Sequence, residues 1–513
     1  VCSSDLTNID YPSGTTDISY SYDDLDRLVS MTDAAGTTAF TYDVAGRLAT
    51  ENGPWTSDTI TYTYTDGYRT EASLGQPSGT WDIDYTYDTD GRLDTVVSGS
   101  GTFNYDYVGA SRDVDDLTMP SSRYVDYVYD SVGRITDSIL KMSSGGSVIK
   151  KHSYAYNLAG WKTDHTSYTG STVNRDFAYA YDDIGQLEYA DADATTLTDF
   201  EYAYDAAWNL DSHDVDETLE DFTVDNLNQL TSHSAAYDDN GNLTSIGSGA
   251  TLQTFTYDAE NQLASVRFYS TYPTTEWEIE FTYDGLGRLR RRYYTLYTNG
   301  NPGTTVDIRY IYDGRLVIQE RTSSNVIIAR YTRGLDLSGS LQGAGGIGGI
   351  LARNWSSNHA LYHSDAMGNV TTLINSSGTV MASYAYDPYG FTIAQSGSWA
   401  GANQYRFSSK EQDISGLYYY GFRFYDPDMQ RWLNRDPIGE VGGVNLYRFS
   451  FNSPTRFVDL IGLEPFDKFL TCDAAAKDIM QWMADNPVID EEGQEWEQAA
   501  LIFEEFVDGI YKY

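Results

Sequence analysis

One seven-residue unit recurs along most of this chain. Residues 22–28 read YDDLDRL, and the unit returns as YDVAGRL at 42–48, YDTDGRL at 87–93 and YDSVGRI at 129–135. Further copies run 156–162, 181–187, 204–210, 237–243, 257–263 and 283–289. Degenerate copies start at Tyr64 and Tyr107, and a shortened one at Tyr312. Most copies lie about 20–27 residues apart. That period marks a repeat architecture built from one supersecondary unit.

The chemistry of one unit says what it folds into. Ahead of each Tyr the residues alternate, as in Phe40-Thr-Tyr42 and Tyr202-Ala-Tyr204, which is the period of a strand. Asp-x-x-Gly is turn chemistry, with Gly free to take positive φ. Arg-Leu then opens a second strand, so each unit is predicted as a β-hairpin. One hairpin is marginal in water, so the units must pair side by side. Twist accumulates along such a sheet and coils it. The expectation is an all-β chain: a spiralling antiparallel ribbon of hairpins over residues 7–334, with Tyr rings tiling one face. The repeated Asp and Arg are expected to form ladder contacts near the turns, each worth ~0.2–1 kcal/mol.

Charge narrows the partners. With 33 Lys plus Arg against 75 Asp plus Glu, the net charge is −42, a field that repels nucleic acid and anionic membrane. No apolar run of ~18 residues is present to span a bilayer. The two cysteines, Cys2 and Cys472, give neither a disulfide framework nor a Cys-based metal site. No metal or cofactor is expected. The opening VCSSDL reads as translated adapter sequence joined to a truncated frame. Rows of Tyr could bind carbohydrate or stack bases, but Tyr as the packing rung of each hairpin is the simpler reading. Arg288, Arg290, Arg291 and Arg292 are expected on a strand edge facing acidic neighbours. His363, beside a turn, reads as a polar hydrogen-bonding residue.

Residues 335–360 interrupt the repeats with LDLSGSLQGAGGIGGI, either a flexible connector or a buried close-packed turn. No Lys-Ser or Lys-Thr follows to make it a phosphate loop. From 361 the pattern tightens, and two aspartates stand out near its end. Asp436 lies in RDPIG and Asp459 in VDLIGL, each in an Asp-x-x-Gly frame beside apolar residues. Taken singly, each reads as a turn residue. Brought together in a dry site, two carboxylates cannot both ionise, and the pair holds one proton as acid and base. Such a dyad can activate water and protonate a leaving amide.

The unit YDxxGRL resembles the YD or RHS repeat of Rhs proteins, toxin-complex C components and teneurins. Residues 361–463 resemble the RHS repeat-associated core domain through YDPYG, GLYYY, RFYDP, RDPIG, NLYRF and the terminal DxxGL. The resemblance implies a ribbon wound into a YD shell that encloses a polypeptide. It also implies an aspartyl protease acting in cis, built from one Arg and two Asp, which cuts after the Leu of the terminal DPxGL. Carried over in order, these are Arg423, Asp436 and Asp459, with Leu463–Glu464 as the scissile bond. One departure is Leu460 where the family has Pro, which would stiffen the approach to that bond. The implied partners are the chain's own C-terminal tail as cargo and a secretion or toxin-delivery machinery, with a secreted or cell-surface location. The alternative is a non-enzymatic adhesion or carbohydrate-binding repeat protein.

The tail, residues 464–513, changes composition: Tyr thins out and acidic residues dominate. Helical spacing places Ile479, Trp482 and Met483 on one apolar face, and Trp496, Ala500, Phe503 and Val507 on another. Asn486-Pro487 separates the two predicted helices.

Overall fold

The computed structural model describes residues 6–12, 14–192, 198–271 and 274–463 and the backbone of the strand Pro465–Asp467. The predicted tail helices, Glu464 and both cysteines lie outside the described residues. Two long antiparallel sheets carry the fold. The first has 20 strands, from Asn8–Ile9 to Thr218–Asp221, and the second 14, from Ala236–Tyr237 to Thr392–Ser396. Strands pair with their sequence neighbours, as an array of consecutive hairpins requires. A four-stranded sheet (residues 411–432) and the ribbon Phe457–Asp459 with Pro465–Asp467 complete an all-β chain. Among the described residues no helix is long and apolar enough to cross a membrane.

The unit at 42–48 shows why the repeat folds. Gly36–Tyr42 pairs with Leu48–Asn52, with a bulge at Thr41/Tyr42. Asp43 Oδ1 accepts the N–H groups of Ala45 (2.8 Å) and Arg47 (3.0 Å), while Oδ2 takes Arg47 Nε (2.8 Å). Gly46 stands at φ 85°, left-handed backbone that glycine adopts without a steric penalty. The Asp–Arg pair therefore closes its own turn. Tyr makes the link: Tyr42 Oη donates to Leu28 O (2.8 Å) and Tyr64 Oη to Leu48 O (3.0 Å), with the same bond at Tyr107, Tyr283 and Tyr312. Each Arg also lies over the next Tyr ring, Arg27 over Tyr42 at 4.5 Å and Arg47 over Tyr64 at 4.3 Å.

The two sheets run alongside each other in step. Tyr20 reaches Gly285, Arg69 reaches Asp313, Ser98 reaches Thr332 and Ser138 reaches His363. Ile60, Ile83, Val96, Phe103 and Leu140 of the first share one buried cluster with Ile311, Ile318, Leu361 and Ile374 of the second. Between the arginine–tyrosine rungs and the glycine-rich segment lies a cleft of about 650 Å³, with Arg47, Tyr64, Gly345 and Ile461 in its walls. Its size is that of a ligand pocket.

The arginine run does not lie on an edge. Leu289–Thr298 pairs on both sides, and Arg288, Arg290 and Arg292 are buried. The acidic neighbours are there: Arg288 meets Glu51 and Asp284, Arg292 meets Glu411 at 2.6 Å, and half-exposed Arg291 meets Asp307. Two of these partners, Glu51 and Glu411, come from remote sequence, which is why an interior strand can carry so many cations. The glycine-rich segment forms buried turns. Asp336 Oδ2 accepts the N–H groups of Ala344 (2.7 Å) and Gly346 (3.1 Å), and Ile347 packs with Leu460, Ile461 and Leu463.

Candidate functional site

The end of the core brings the three predicted residues together in a dry pocket. Arg423 follows the strand Tyr418–Tyr419, and its guanidinium carbon lies 4.2 Å from the centre of the Trp432 ring. Asp436 opens the RDPIG turn, where its Oδ1 accepts Ile438 N–H (3.0 Å). Asp459 ends the strand Phe457–Asp459, and its Oδ1 accepts the N–H groups of Ile461, Gly462 and Leu463 at 3.2, 2.6 and 3.2 Å. Both aspartates thus cap their own turns, as each would if read alone. Their second oxygens converge on one cation: Arg423 Nη2 lies 2.6 Å from Asp436 Oδ2 and 3.8 Å from Asp459 Oδ2. Relative exposures of 3%, 7% and 1% for Arg423, Asp436 and Asp459 exclude bulk water.

The predicted scissile residue sits in the same pocket. Arg423 Nη2 also donates to Leu463 O (3.2 Å), and Nε donates to Gly462 O (2.5 Å). A Cβ on Gly442 would fall 2.8 Å from Asp436 Oδ2 and 3.0 Å from Leu463 O, so carboxylate and carbonyl crowd over one glycine. Phe457–Asp459 pairs antiparallel with Pro465–Asp467, Asp459 opposite Pro465. The chain therefore turns back on itself between them; Glu464, on the far side of the predicted scissile bond, lies outside the described residues.

Electrostatics separate the two acids. Burial, opposed by Arg423 and the three N–H donors, raises the Asp459 pKa above the ordinary carboxylate range. Its Oδ2 has no hydrogen-bond partner among the described residues. Asp436 holds the short ion pair to Arg423. One acid is thus poised to keep a proton while the other faces a guanidinium. Burial also lowers the Arg423 pKa, against the pull of both carboxylates.

Sequence reasoning missed Lys410. Its buried Nζ donates to Leu460 O (2.6 Å) and Gly345 O (3.0 Å), tying the turn to the glycine-rich segment. A Cβ on Gly345 would fall 2.1 Å from Leu460 O. Leu460, standing where the resemblance expects Pro, is held through its carbonyl. His363 is buried and hydrogen-bonds Ser138 Oγ (3.1 Å), remote in sequence from this pocket.

Comparison with known proteins gives a consistent picture. The RHS Repeat family matches residues 4–38 and 22–58. The toxin subunit YenC2 of Yersinia entomophaga is 42% identical over 113 residues, covering 21% of this chain and 12% of that protein. The double-stranded DNA deaminase toxin A of Burkholderia cenocepacia is 30% identical over 197 residues, 36% of this chain and 14% of that one. Among solved structures, the TcdB2-TccC3 complex superposes with a TM-score of 0.60 at 18% identity, over 88% of this chain and 28% of that chain. The present chain thus matches only a small part of each relative's length, and the structural likeness speaks to fold.

Proposed function

This chain belongs to the RHS/YD-repeat proteins, and from that premise we propose that it is the shell portion of a toxin-delivery protein that cuts itself after Leu463. The observation that carries the reading is the convergence of Asp436 and Asp459 on Arg423, whose Nη2 also donates to the Leu463 carbonyl. Asp436, ion-paired with Arg423 at 2.6 Å, takes a proton from water as that water attacks the Leu463 carbonyl carbon. Arg423 Nη2 steadies the oxygen as negative charge develops. Asp459 donates its proton to the Glu464 nitrogen, the C–N bond breaks, and the proton gained by Asp436 restores the pair. A new carboxylate at Leu463 and a new amine at Glu464 result. Trp432 beneath the guanidinium and the walls of Ile438, Val458 and Ile461 keep the site dry, which strengthens each of these interactions.

The tail released by the cut is the cargo in this reading, and the enclosure belongs to the longer shell of which the YD ribbon is a part. Homology to named toxin subunits supports delivery by a partner machinery, with secretion as its consequence. Intact-mass measurement of the purified protein tests the proposal. The expected masses are those of residues 1–463 and 464–513 separately, and an uncut chain in the wild type overturns the proteolytic reading.

A further inference from the structure

The inner face of the first sheet changes character at one place. Over residues 60–140 it presents Ile60, Ile83, Val96, Phe103, Leu117 and Leu140, all buried. On the next three strands it presents Lys150, His152, His165, Ser167 and Arg175. Register makes these one contiguous patch: His152 is opposite Ser167, and Ser167 is opposite Arg175, with Lys150 two residues from His152 on the same face. The patch lines a cavity of about 70 Å³ closed by the second sheet and residues 454–455. By the same measure one water needs ~10–15 Å³, so there is room for a small polyatomic ion.

Buried cations elsewhere among the described residues either meet a counter-charge or spend donors on neutral oxygens, as Lys410 does on Leu460 O and Gly345 O and Arg333 on Val317 O. Arg69 meets Asp313 at 2.8 Å, Arg288 meets Glu51 at 2.8 Å and Arg292 meets Glu411 at 2.6 Å. Lys150, 6% exposed, makes no ion pair, and Arg175 Nη1 is buried without a hydrogen-bond acceptor among the described residues. Two carboxylates, Asp365 and Asp387, also line the cavity, and both are engaged in their own turns. Asp365 accepts Met367 N–H, Asn369 N–H and Asn369 Nδ2, and Asp387 accepts Phe391 N–H, each closing its own turn. Asp216 acts on Arg175 only from a distance. Lys162 donates to Thr455 O. An uncompensated buried cation is costly, and in a chain of net charge −42 acidic partners were abundant.

We infer that this cavity is a binding site for a small tetrahedral oxyanion of the phosphate or sulfate type, held by Lys150 and Arg175 with His165 and Ser167 as hydrogen-bonding groups, while His152, bonded to His165 Nε2 (3.0 Å) and Thr371 Oγ1 (3.1 Å), backs His165. The seat lies between the two sheets, so the anion would fasten first sheet to second where aliphatic packing gives out. Burial presses the Lys150 amine down to about 8, a shift that a bound anion opposes. The site is independent of the Arg423 pocket, and its test does not depend on cleavage.

Isothermal titration of the purified full chain with inorganic phosphate, in low-salt buffer free of phosphate and sulfate, tests this. The expected result is saturable one-site binding, weakened about tenfold or more in Lys150→Met and in Arg175→Gln, the loss of one charge-assisted hydrogen bond each. Sulfate should compete and chloride should not. Absence of saturable binding in the wild type overturns the inference, as does unchanged affinity in the Arg175→Gln variant, whose half-exposed position tolerates replacement. Equal affinity for chloride overturns the oxyanion class. A selenate-soaked crystal gives the position: an anomalous peak beside Lys150 Nζ is expected, and a peak elsewhere only is contrary.

Discussion

The turn at residues 43–47 and the pocket around Arg423 use the same residue types to opposite ends. In the first, Asp43 and Arg47 form a 2.6 Å pair with about a quarter of each side chain exposed, 24% and 27%. In the second, Arg423 and Asp436 form a 2.6 Å pair at 2% and 5%, with a further carboxylate 3.8 Å away. Solvent screens the first pair and leaves it a turn lock. Burial of the second raises the pKa of Asp459 and leaves both carboxylates on one guanidinium that also holds a backbone carbonyl. On the self-cleavage reading, an Asp-x-x-Gly turn becomes a chemical site when two of them meet around one buried arginine.

The sharpest way to break the comparison is to remove one member of the buried set. On the self-cleavage reading, Asp459→Asn keeps a cap for the turn but loses the proton donor, and Asp436→Asn loses the base. Each is expected to abolish cleavage, read as a single intact mass, while leaving the circular dichroism spectrum unchanged. A pH series tests the assignment of roles. Because the Asp459 pKa is raised, its proton is present below that pKa and lost above it. The rate in the wild type should therefore fall as pH rises through the value, and a rate that climbs steadily with pH would contradict Asp459 as the acid.

A buried pair without chemistry gives the next largest effect, now on stability. Arg292 lies at 0% side-chain exposure against Glu411 at 5%, and Tyr310 Oη shares the same Glu411 oxygen. Arg292→Met strands that carboxylate and should cost about 3–5 kcal/mol, measured by denaturant unfolding. Adding Glu411→Leu removes the stranded charge, so the double variant should recover much of the loss. No recovery would mean that the arginine's packing, rather than its pairing, holds the strands.

Lys410 then separates positioning from chemistry, on the self-cleavage reading. It touches neither aspartate by hydrogen bond, yet holds Leu460 O and Gly345 O. Lys410→Met should slow cleavage about tenfold through misplacement of the turn, with Lys410→Arg restoring part of the rate. Complete loss in both variants, equal to Asp459→Asn, would place the amine in the chemistry itself.

The ribbon was legible because its code is local. Asp43 meets its N–H donors and Arg47 within four residues, and Tyr42 finds Leu28 one unit back. Burial was not legible, because the groups that allow it are remote. Nothing near Arg292 announces Glu411, 119 residues on, and nothing near Arg288 announces Glu51, 237 residues back. Without those partners, an arginine run looks like an edge. The site falls between. Spacing alone gives Asp436 and Asp459 turn roles, which both fill, and motif resemblance, not spacing, joined them to Arg423. Lys410 had no signal except the glycine at 345, whose φ of 57° and close approach to Leu460 O serve a contact made far along the chain.

The smallest effect is expected where the comparison began. Arg47→Gln removes an exposed guanidinium from Asp43 and from the Tyr64 face, but leaves the cap on Ala45 N–H and the Tyr64 bond to Leu48 O. Screening leaves little to lose, and neighbouring units pair the same strands, so the melting temperature should move by no more than about 1–2 °C. High salt should erase even that difference, since only exposed charge is at stake. A drop comparable to that of Arg292→Met would show that arginine-over-tyrosine stacking carries the ribbon from unit to unit. The turn pairs of the first sheet would then be structural elements on a par with the buried ones.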